Sequence, residues 1–78
     1  MTNTLANPVR SLRQAGAVLR GRRAAQKISQ KQLGELTGTA QSTISDIENG
    51  VVSMSLDVYL RLLEALGAEL SVADRDTI

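Results

Sequence analysis

Apolar residues recur every three or four positions in four segments of the chain, a spacing typical of the buried face of an amphipathic helix. Each segment follows a serine or threonine that can cap a first helical turn, and three of the four end at a glycine. The predicted helices span residues 11–26, 30–37, 40–49 and 56–66, although Pro8 could also start the first. The positions expected to face inward are Leu12, Leu19, Leu33, Leu36, Ile44 and Ile47. The pattern therefore predicts an all-α domain of four short helices within residues 8–67.

The period of the pattern changes after the fourth helix. Residues 68–73 alternate between apolar and polar side chains, as expected of a β-strand. Residues 1–7 are small and mostly polar and are predicted to form a flexible arm, and residues 74–78 a frayed tail. The predicted organisation is one small helical domain that carries a short C-terminal strand.

Both the strand and the fourth helix require a partner surface. A lone strand of about five residues is not stable by itself, and its open edge invites pairing with another chain. The fourth helix is apolar around more than half of its circumference, so it needs two buried faces. We therefore expect a homodimer in which residues 68–73 pair across a two-fold axis. The alternative is a monomer whose tail folds back over the fourth helix. The expected interface residues are Leu62, Leu66, Leu70 and Val72.

Composition narrows the classes of function. The chain contains no Cys and no His, which excludes disulfides, ordinary zinc sites and catalysis by Ser-His or Cys-His pairs. It also has no phosphate-binding loop and no cluster of carboxylates, so we expect no enzyme, no metal and no cofactor. No stretch is long and apolar enough to cross a membrane. The N-terminus lacks the apolar run of a secretory signal, and a cytoplasmic location is expected.

The net charge of +1 conceals an uneven distribution. Residues 1–31 carry seven Lys and Arg and no acid, whereas residues 32–78 carry two basic and eight acidic residues. A basic half favours an anionic partner such as nucleic acid. The alternative is that the basic helix is merely a solvated surface.

Residues 29–50 have the spacing of a helix-turn-helix unit, in which two short helices are joined by a tight turn containing glycine. Gly34 lies where the two helices approach each other, and Gly38 lies in the turn. Ile44 and Ile47 are placed to pack the second helix of the unit on the first. An ordinary helical hairpin is the alternative.

The outer face of the third helix is short, polar and nearly uncharged. Amide side chains such as Gln and Asn can pair with adenine in the major groove, and Ser can contact several bases. The alternative is a plain solvated surface. Asp46, at the edge of this face, could accept from cytosine or could repel phosphates. The candidate base-reading residues are Ala40, Gln41, Ser42, Ser45 and Asn49.

Phosphate contacts are expected near the start of the second helix. The side chain and backbone N–H of Gln30 would meet a phosphate at the helix N-terminus. Lys27 and Lys31 are close enough in sequence to add positive charge, and the hydroxyl of Thr43 is a further candidate. For each lysine, the alternative is a general contribution to solubility.

Residues 15–67 resemble the Xre/lambda-repressor family of helix-turn-helix DNA-binding domains. The resemblance implies an ion pair between Arg23 and Glu48, in agreement with the helical wheel, which puts Arg23 on the apolar face. There an unpaired charge would be costly unless the side chain reached solvent. The chain departs from the family at Val51-Val52, where members often carry a basic residue. The matching residues are Arg22-Arg23, Ile28-Ser29-Gln30, Leu33-Gly34, Gly38-Thr39, Gln41-Ser42-Thr43-Ile44-Ser45, Glu48-Asn49-Gly50 and Ala65-Leu66-Gly67.

The C-terminal strand is similar to that of HipB-type antitoxins, which are short Xre-like proteins. This resemblance implies a dimeric repressor of its own operon that binds double-stranded DNA and a HipA-like toxin kinase. Phage regulators and restriction-control regulators share the same core and have no toxin partner. A further alternative is an interaction module of this fold that neutralises a protein without binding DNA.

Overall fold

The computed structural model describes residues 8–74 and confirms an all-α, four-helix fold. The N-terminal arm predicted at residues 1–7 and most of the predicted frayed tail lie outside the described residues. Between residues 8 and 74 no β-strand is present, and residues 68–74 have no regular secondary structure. A single chain offers residues 68–73 no neighbouring strand with which to form a ladder. The helices are α1 (Leu12–Ala25), α2 (Gln30–Thr37), α3 (Gln41–Glu48) and α4 (Leu56–Ala65).

Serine hydroxyls cap three of the four helices. Ser11, Ser29 and Ser55 each accept a hydrogen bond from the backbone N–H three residues later. At the start of α2 the Gln32 side chain also accepts from the Ser29 backbone N–H, which completes a capping box.

The start of α3 differs from the prediction that Thr39 caps it. Ala40 is the N-cap residue and offers no side-chain hydrogen bond to the helix. The hydroxyl of Thr39 lies 2.9 Å from that of Thr37 instead. The first turn of α3 therefore keeps backbone N–H groups that no capping side chain satisfies.

The core forms where α1 packs across α3 and where α2 packs against α3 and α4. Leu36 was expected to face inward, but 65% of its surface is exposed. The buried side of α2 is centred on Leu33 and Gly34, and Leu36 lies more than a quarter turn away from it. Leu12, also expected inside, is 44% exposed. The buried apolar residues are Ala15, Leu19, Leu33, Ile44, Ile47, Tyr59, Leu62, Leu63 and Leu66.

Two polar contacts join helices that are distant in sequence. The buried hydroxyl of Tyr59 donates to the backbone oxygen of Ala15 at 2.8 Å, which ties α4 to α1. The side-chain amide of Gln26 donates to the backbone oxygen of Leu66 at 2.6 Å and holds the C-terminal ends of the same two helices together. Burial raises the pKa of the Tyr59 hydroxyl, which keeps it protonated as a donor at neutral pH.

The packing of α4 corrects the expected dimer interface. Leu62 is fully buried and Leu66 is 4% exposed within one chain, because the side of α4 that carries them faces the core. A second copy could not reach either side chain. The apolar residues that α4 leaves exposed are Leu56 and Leu60, and in the tail Leu70 and Val72 are exposed as well.

Candidate nucleic-acid interface

The turn between α2 and α3 is fixed by close backbone packing. A Cβ atom at Gly34 would overlap the backbone oxygen of Thr39, so the chain can turn here only if residue 34 lacks a side chain. Gly38 adopts the left-handed conformation, with φ of 69°, and its N–H donates to the oxygen of Gly34. Leu33 and Ile44 are fully buried between the two helices. The two helices are therefore held at a fixed angle.

The outer side of α3 is exposed and offers mainly amides and hydroxyls. Ser45 is half-buried, and Asp46 is the only charged group on this side. The helix has eight residues. With its side chains an α-helix is about 10–12 Å in diameter, which the major groove of B-DNA, about 12 Å wide, can admit. We call this side the α3 outer face. Its other exposed residues are Ala40, Gln41, Ser42, Thr43 and Asn49.

A buried ion pair anchors the C-terminal end of α3 to α1. The Arg23 guanidinium donates through Nε to Glu48 Oε2 at 2.7 Å and through Nη2 to Glu48 Oε1 at 2.9 Å. Its Nη1 donates to the backbone oxygen of Ile28 at 2.8 Å, in the link between α1 and α2. The Arg23 side chain is 14% exposed and that of Glu48 only 2%. One cation thus connects three parts of the fold.

The pair shifts both ionisation equilibria toward the charged forms. Burial raises the pKa of the Glu48 carboxyl, but hydrogen bonds from Arg23 and Gln30 and the charges of Arg23 and Arg20 lower it by more, so the pKa lies below its ordinary value. The hydrogen bond to Glu48 raises the pKa of Arg23, although partial burial opposes the shift. Both groups are therefore ionised throughout the neutral pH range.

Gln30 is placed differently from the expectation that its side chain meets a phosphate. Its amide Nε2 donates to Glu48 Oε1 at 3.0 Å, so this side chain is held within the fold. Lys27 and Lys31 are exposed near the start of α2. The sequence feature that pointed to this contact is Glu48 at the end of α3, because a carboxylate has more acceptor sites than Arg23 alone fills.

The loop after α3 is exposed and uncharged. Gly50 adopts a positive φ of 70°, and Val51 and Val52 follow it with exposed fractions of 68% and 36%. This loop therefore offers no cationic side chain to a phosphate at residues 51 and 52.

Two negative findings apply to residues 8–74. None of their helices combines the length and the apolarity needed to span a membrane. No group of three or more acidic side chains in this part of the chain is arranged to hold a metal ion.

Comparison with protein families identifies the architecture. Residues 14–77 match the helix-turn-helix domain family. An uncharacterized HTH-type transcriptional regulator of Haemophilus influenzae is 47% identical over 45 residues, which are 58% of this chain and 46% of that protein. The chain thus spans less than half the length of this curated relative.

Two solved structures have the same architecture. The restriction-modification controller protein C.AhdI from Aeromonas hydrophila is 36% identical, with 74% of this chain and 88% of that chain covered and a TM-score of 0.71. HipB in its complex with the O4 20mer is 22% identical, with 91% and 100% covered and a TM-score of 0.81. At 22% identity the second likeness is one of fold.

Proposed function

The chain belongs to the helix-turn-helix domain family and is of the Xre type, and we propose that it is a transcriptional repressor that binds double-stranded DNA sequence-specifically as a homodimer. The α3 outer face is the observation that carries this proposal. It presents amides and hydroxyls beside a rigid turn, on a helix of a diameter that the major groove admits. A mainly uncharged, hydrogen-bonding helix surface is better suited to reading bases than to solubility.

Sequence would be read by the α3 outer face and affinity would come from phosphate contacts. Gln41 can form a bidentate pair with adenine, and Ser42, Ser45 and Asn49 can donate to or accept from base edges. Phosphates would meet the backbone N–H groups at the start of α2, together with Lys27, Lys31 and the hydroxyl of Thr43. Ala40 would contact a thymine methyl group.

Replacing both Gln41 and Ser45 with alanine is expected to abolish preference for the operator without unfolding the protein, because neither side chain belongs to the buried core. One bidentate base contact contributes about 1–3 kcal/mol of discrimination. The ratio of the dissociation constant for a scrambled duplex to that for the selected duplex should fall by about tenfold or more. The selected duplex is the one that the unaltered protein enriches from a random pool.

A matched control is Ser53→Ala, which removes an exposed hydroxyl outside both the helix-turn-helix unit and the proposed dimerisation segment and should leave the ratio unchanged. If the Gln41→Ala/Ser45→Ala variant discriminates as well as the unaltered protein, the α3 outer face does not read the sequence.

The dimer that we propose uses the apolar residues left exposed on α4 and in the tail. Leu56 and Leu60 lie exposed on α4, and Leu70 and Val72 lie exposed beyond it. Pairing of residues 68–73 with the same segment of a second copy would give both strands a ladder partner. Two α3 helices related by a two-fold axis can enter successive major grooves about 34 Å apart and bind a palindromic operator.

A chain that ends at Ala68 is expected to dimerise at least about tenfold more weakly, since full burial of one Leu or Val contributes about 1.5–3 kcal/mol. This end point preserves the fold, because the Ala68 N–H still donates to the oxygen of Leu63 and Leu66 still accepts from Gln26. Sedimentation equilibrium measures the dissociation constant of the dimer. Full-length Leu36→Ser, which removes another exposed leucine, should dimerise normally. An unchanged constant for the shortened chain would exclude strand-mediated dimerisation.

Two biological settings fit such a repressor. The tail, which is similar to that of HipB-type antitoxins, supports an antitoxin that represses its own operon and binds a HipA-like toxin kinase. The 36% identity to the controller protein C.AhdI supports a regulator of restriction genes with no toxin partner. Affinity purification from the native cell separates them: a stoichiometric kinase supports the first, and DNA from a restriction-modification locus without any protein partner supports the second.

A further inference from the structure

A groove on the surface of α1 adjoins the α3 outer face. Its lining includes the small residues Ala17, Gly21 and Ala24 and the cations Arg13 and Arg20. Glu48 and Asn49, at the C-terminal end of α3, complete the lining. We call this surface the α1 groove. Asn49 also belongs to the α3 outer face, so the two surfaces are continuous.

The α1 groove is positively charged. Arg13 and Arg20 are exposed, and among the described residues neither takes part in a salt bridge. They are seven residues apart on one helix, so they lie on the same side and about 10.5 Å from each other along the axis. The single acid of the lining, Glu48, has a side chain that is only 2% exposed and accepts hydrogen bonds from Arg23 and Gln30. The accessible charge is therefore that of the two arginines.

The groove also adjoins the start of α2. Gln30, the first residue of α2, donates to the same Glu48 carboxylate that lines the groove. Lys27 and Lys31 are exposed near this helix start, so cations flank both the groove and the N-terminus of α2. A polyanion that reaches the N-terminus of α2 and the α3 outer face would pass over this groove.

We infer that the α1 groove binds the sugar-phosphate backbone of duplex DNA, with Arg13 and Arg20 as phosphate contacts; the inference rests on the proposed function. The small residues of the lining let a backbone approach closely without steric hindrance. An acidic protein segment fits less well, because the groove contains no large apolar or aromatic side chain to serve as an anchor. The groove would thus enlarge the phosphate-binding surface without adding any sequence preference.

The test is the salt dependence of binding to the duplex that the unaltered protein selects from a random pool. Each phosphate contact contributes about 0.9 to the slope of log K against log salt concentration. The full-length Arg13→Gln/Arg20→Gln variant is expected to lower the slope by about 1.8 for each protomer, and therefore by about 3.6 for the bound dimer that we propose. It should weaken binding to selected and scrambled duplexes equally. Arg61→Gln on α4 removes one exposed positive charge elsewhere and should leave the slope unchanged.

The Arg13→Lys/Arg20→Lys variant shows whether an effect comes from lost charge or from a disturbed fold. Because lysine keeps both positive charges, this variant should retain the salt dependence of binding. Thermal unfolding of each variant shows whether the loss of charge near Glu48 disturbs the ion pair. An unchanged slope for the folded glutamine variant would overturn the inference while leaving the proposed function intact. Absence of duplex binding by the unaltered protein at low salt would overturn the proposed function itself.

Discussion

Glu48→Gln is expected to lower the free energy of unfolding by about 3 kcal/mol. Glutamine keeps the shape of the side chain but has one acceptor oxygen where Glu48 receives two donors from Arg23 and one from Gln30. At least one donor would then face the new amide N–H₂, and Arg23 would keep a partly buried charge without its counter-ion. Breaking a buried ion pair on one side costs about 3–5 kcal/mol, and the 14% exposure of Arg23 places the effect at the lower end.

Urea unfolding measures this loss, and an exposed pair supplies the control. Asp57 and Arg61 form an ion pair at 2.8 Å on the surface of α4, with the aspartate side chain 84% exposed. Such i,i+4 pairs contribute only about 0.3–0.5 kcal/mol, so Asp57→Asn should hardly shift the transition. Equal effects of the two substitutions would show that burial of the Glu48 pair does not matter to stability.

The same pair predicts a dependence of stability on pH. The pKa of Glu48 in the folded protein lies below its ordinary value of 4.5, so the unfolded chain binds a proton more readily than the folded one. The contribution of the pair is therefore fully present above about pH 4.5 and is lost as the pH falls through the folded pKa. In the Glu48→Gln variant, the free energy of unfolding should lack this part of its decrease with falling pH. An identical slope in both proteins would contradict the assignment.

The sequence predicted the helices well because their ends depend on local chemistry. Helix α2 begins after Ser29 and ends before Gly38, as expected. The spacing of Gly34 and Ile44 also correctly indicated a helix-turn-helix unit. Periodicity shows which face of a helix is apolar but not which neighbour covers it. For this reason Leu62 was assigned to a partner copy although it is buried within its own chain.

The polar side chains of the site were harder to place than the helices. The Arg23–Glu48 pair could be expected, because a buried cation requires a counter-ion and the family pattern indicates which acid supplies it. Glu48 has a spare acceptor site, but the sequence does not specify that Gln30 fills it, nor that Gln26 reaches the oxygen of Leu66 forty residues away. Such contacts depend on how complete helices pack. The Gln30 side chain is hydrogen-bonded to Glu48 in the structure, whereas its contact with a phosphate stays a prediction.

Gly16→Ala is expected to destabilise the protein by about 3 kcal/mol, because α1 crosses α3 at this residue. A Cβ atom at position 16 would overlap the backbone oxygen of Ile47 and lie 2.7 Å from that of Glu48. These are backbone atoms in the last turn of α3, and they cannot move aside as the end of a flexible side chain can. Overpacking usually costs about 1–3 kcal/mol, and a backbone obstacle places this case at the upper limit.

Gly21→Ala is the matched control, since it makes the same chemical change in the same helix. A Cβ atom at Gly21 has no neighbour within 4 Å, so alanine should stabilise α1 by about 0.5–1 kcal/mol through its higher helix propensity. A shift of 1 kcal/mol corresponds to about 4–8 °C in Tm for a domain of this size, so the two variants should melt at least about 14 °C apart. Stabilisation by both substitutions would mean that α1 and α3 do not approach closely at Gly16. In that case Arg23 and Glu48 would also lack the short helix-to-helix distance on which their pairing depends.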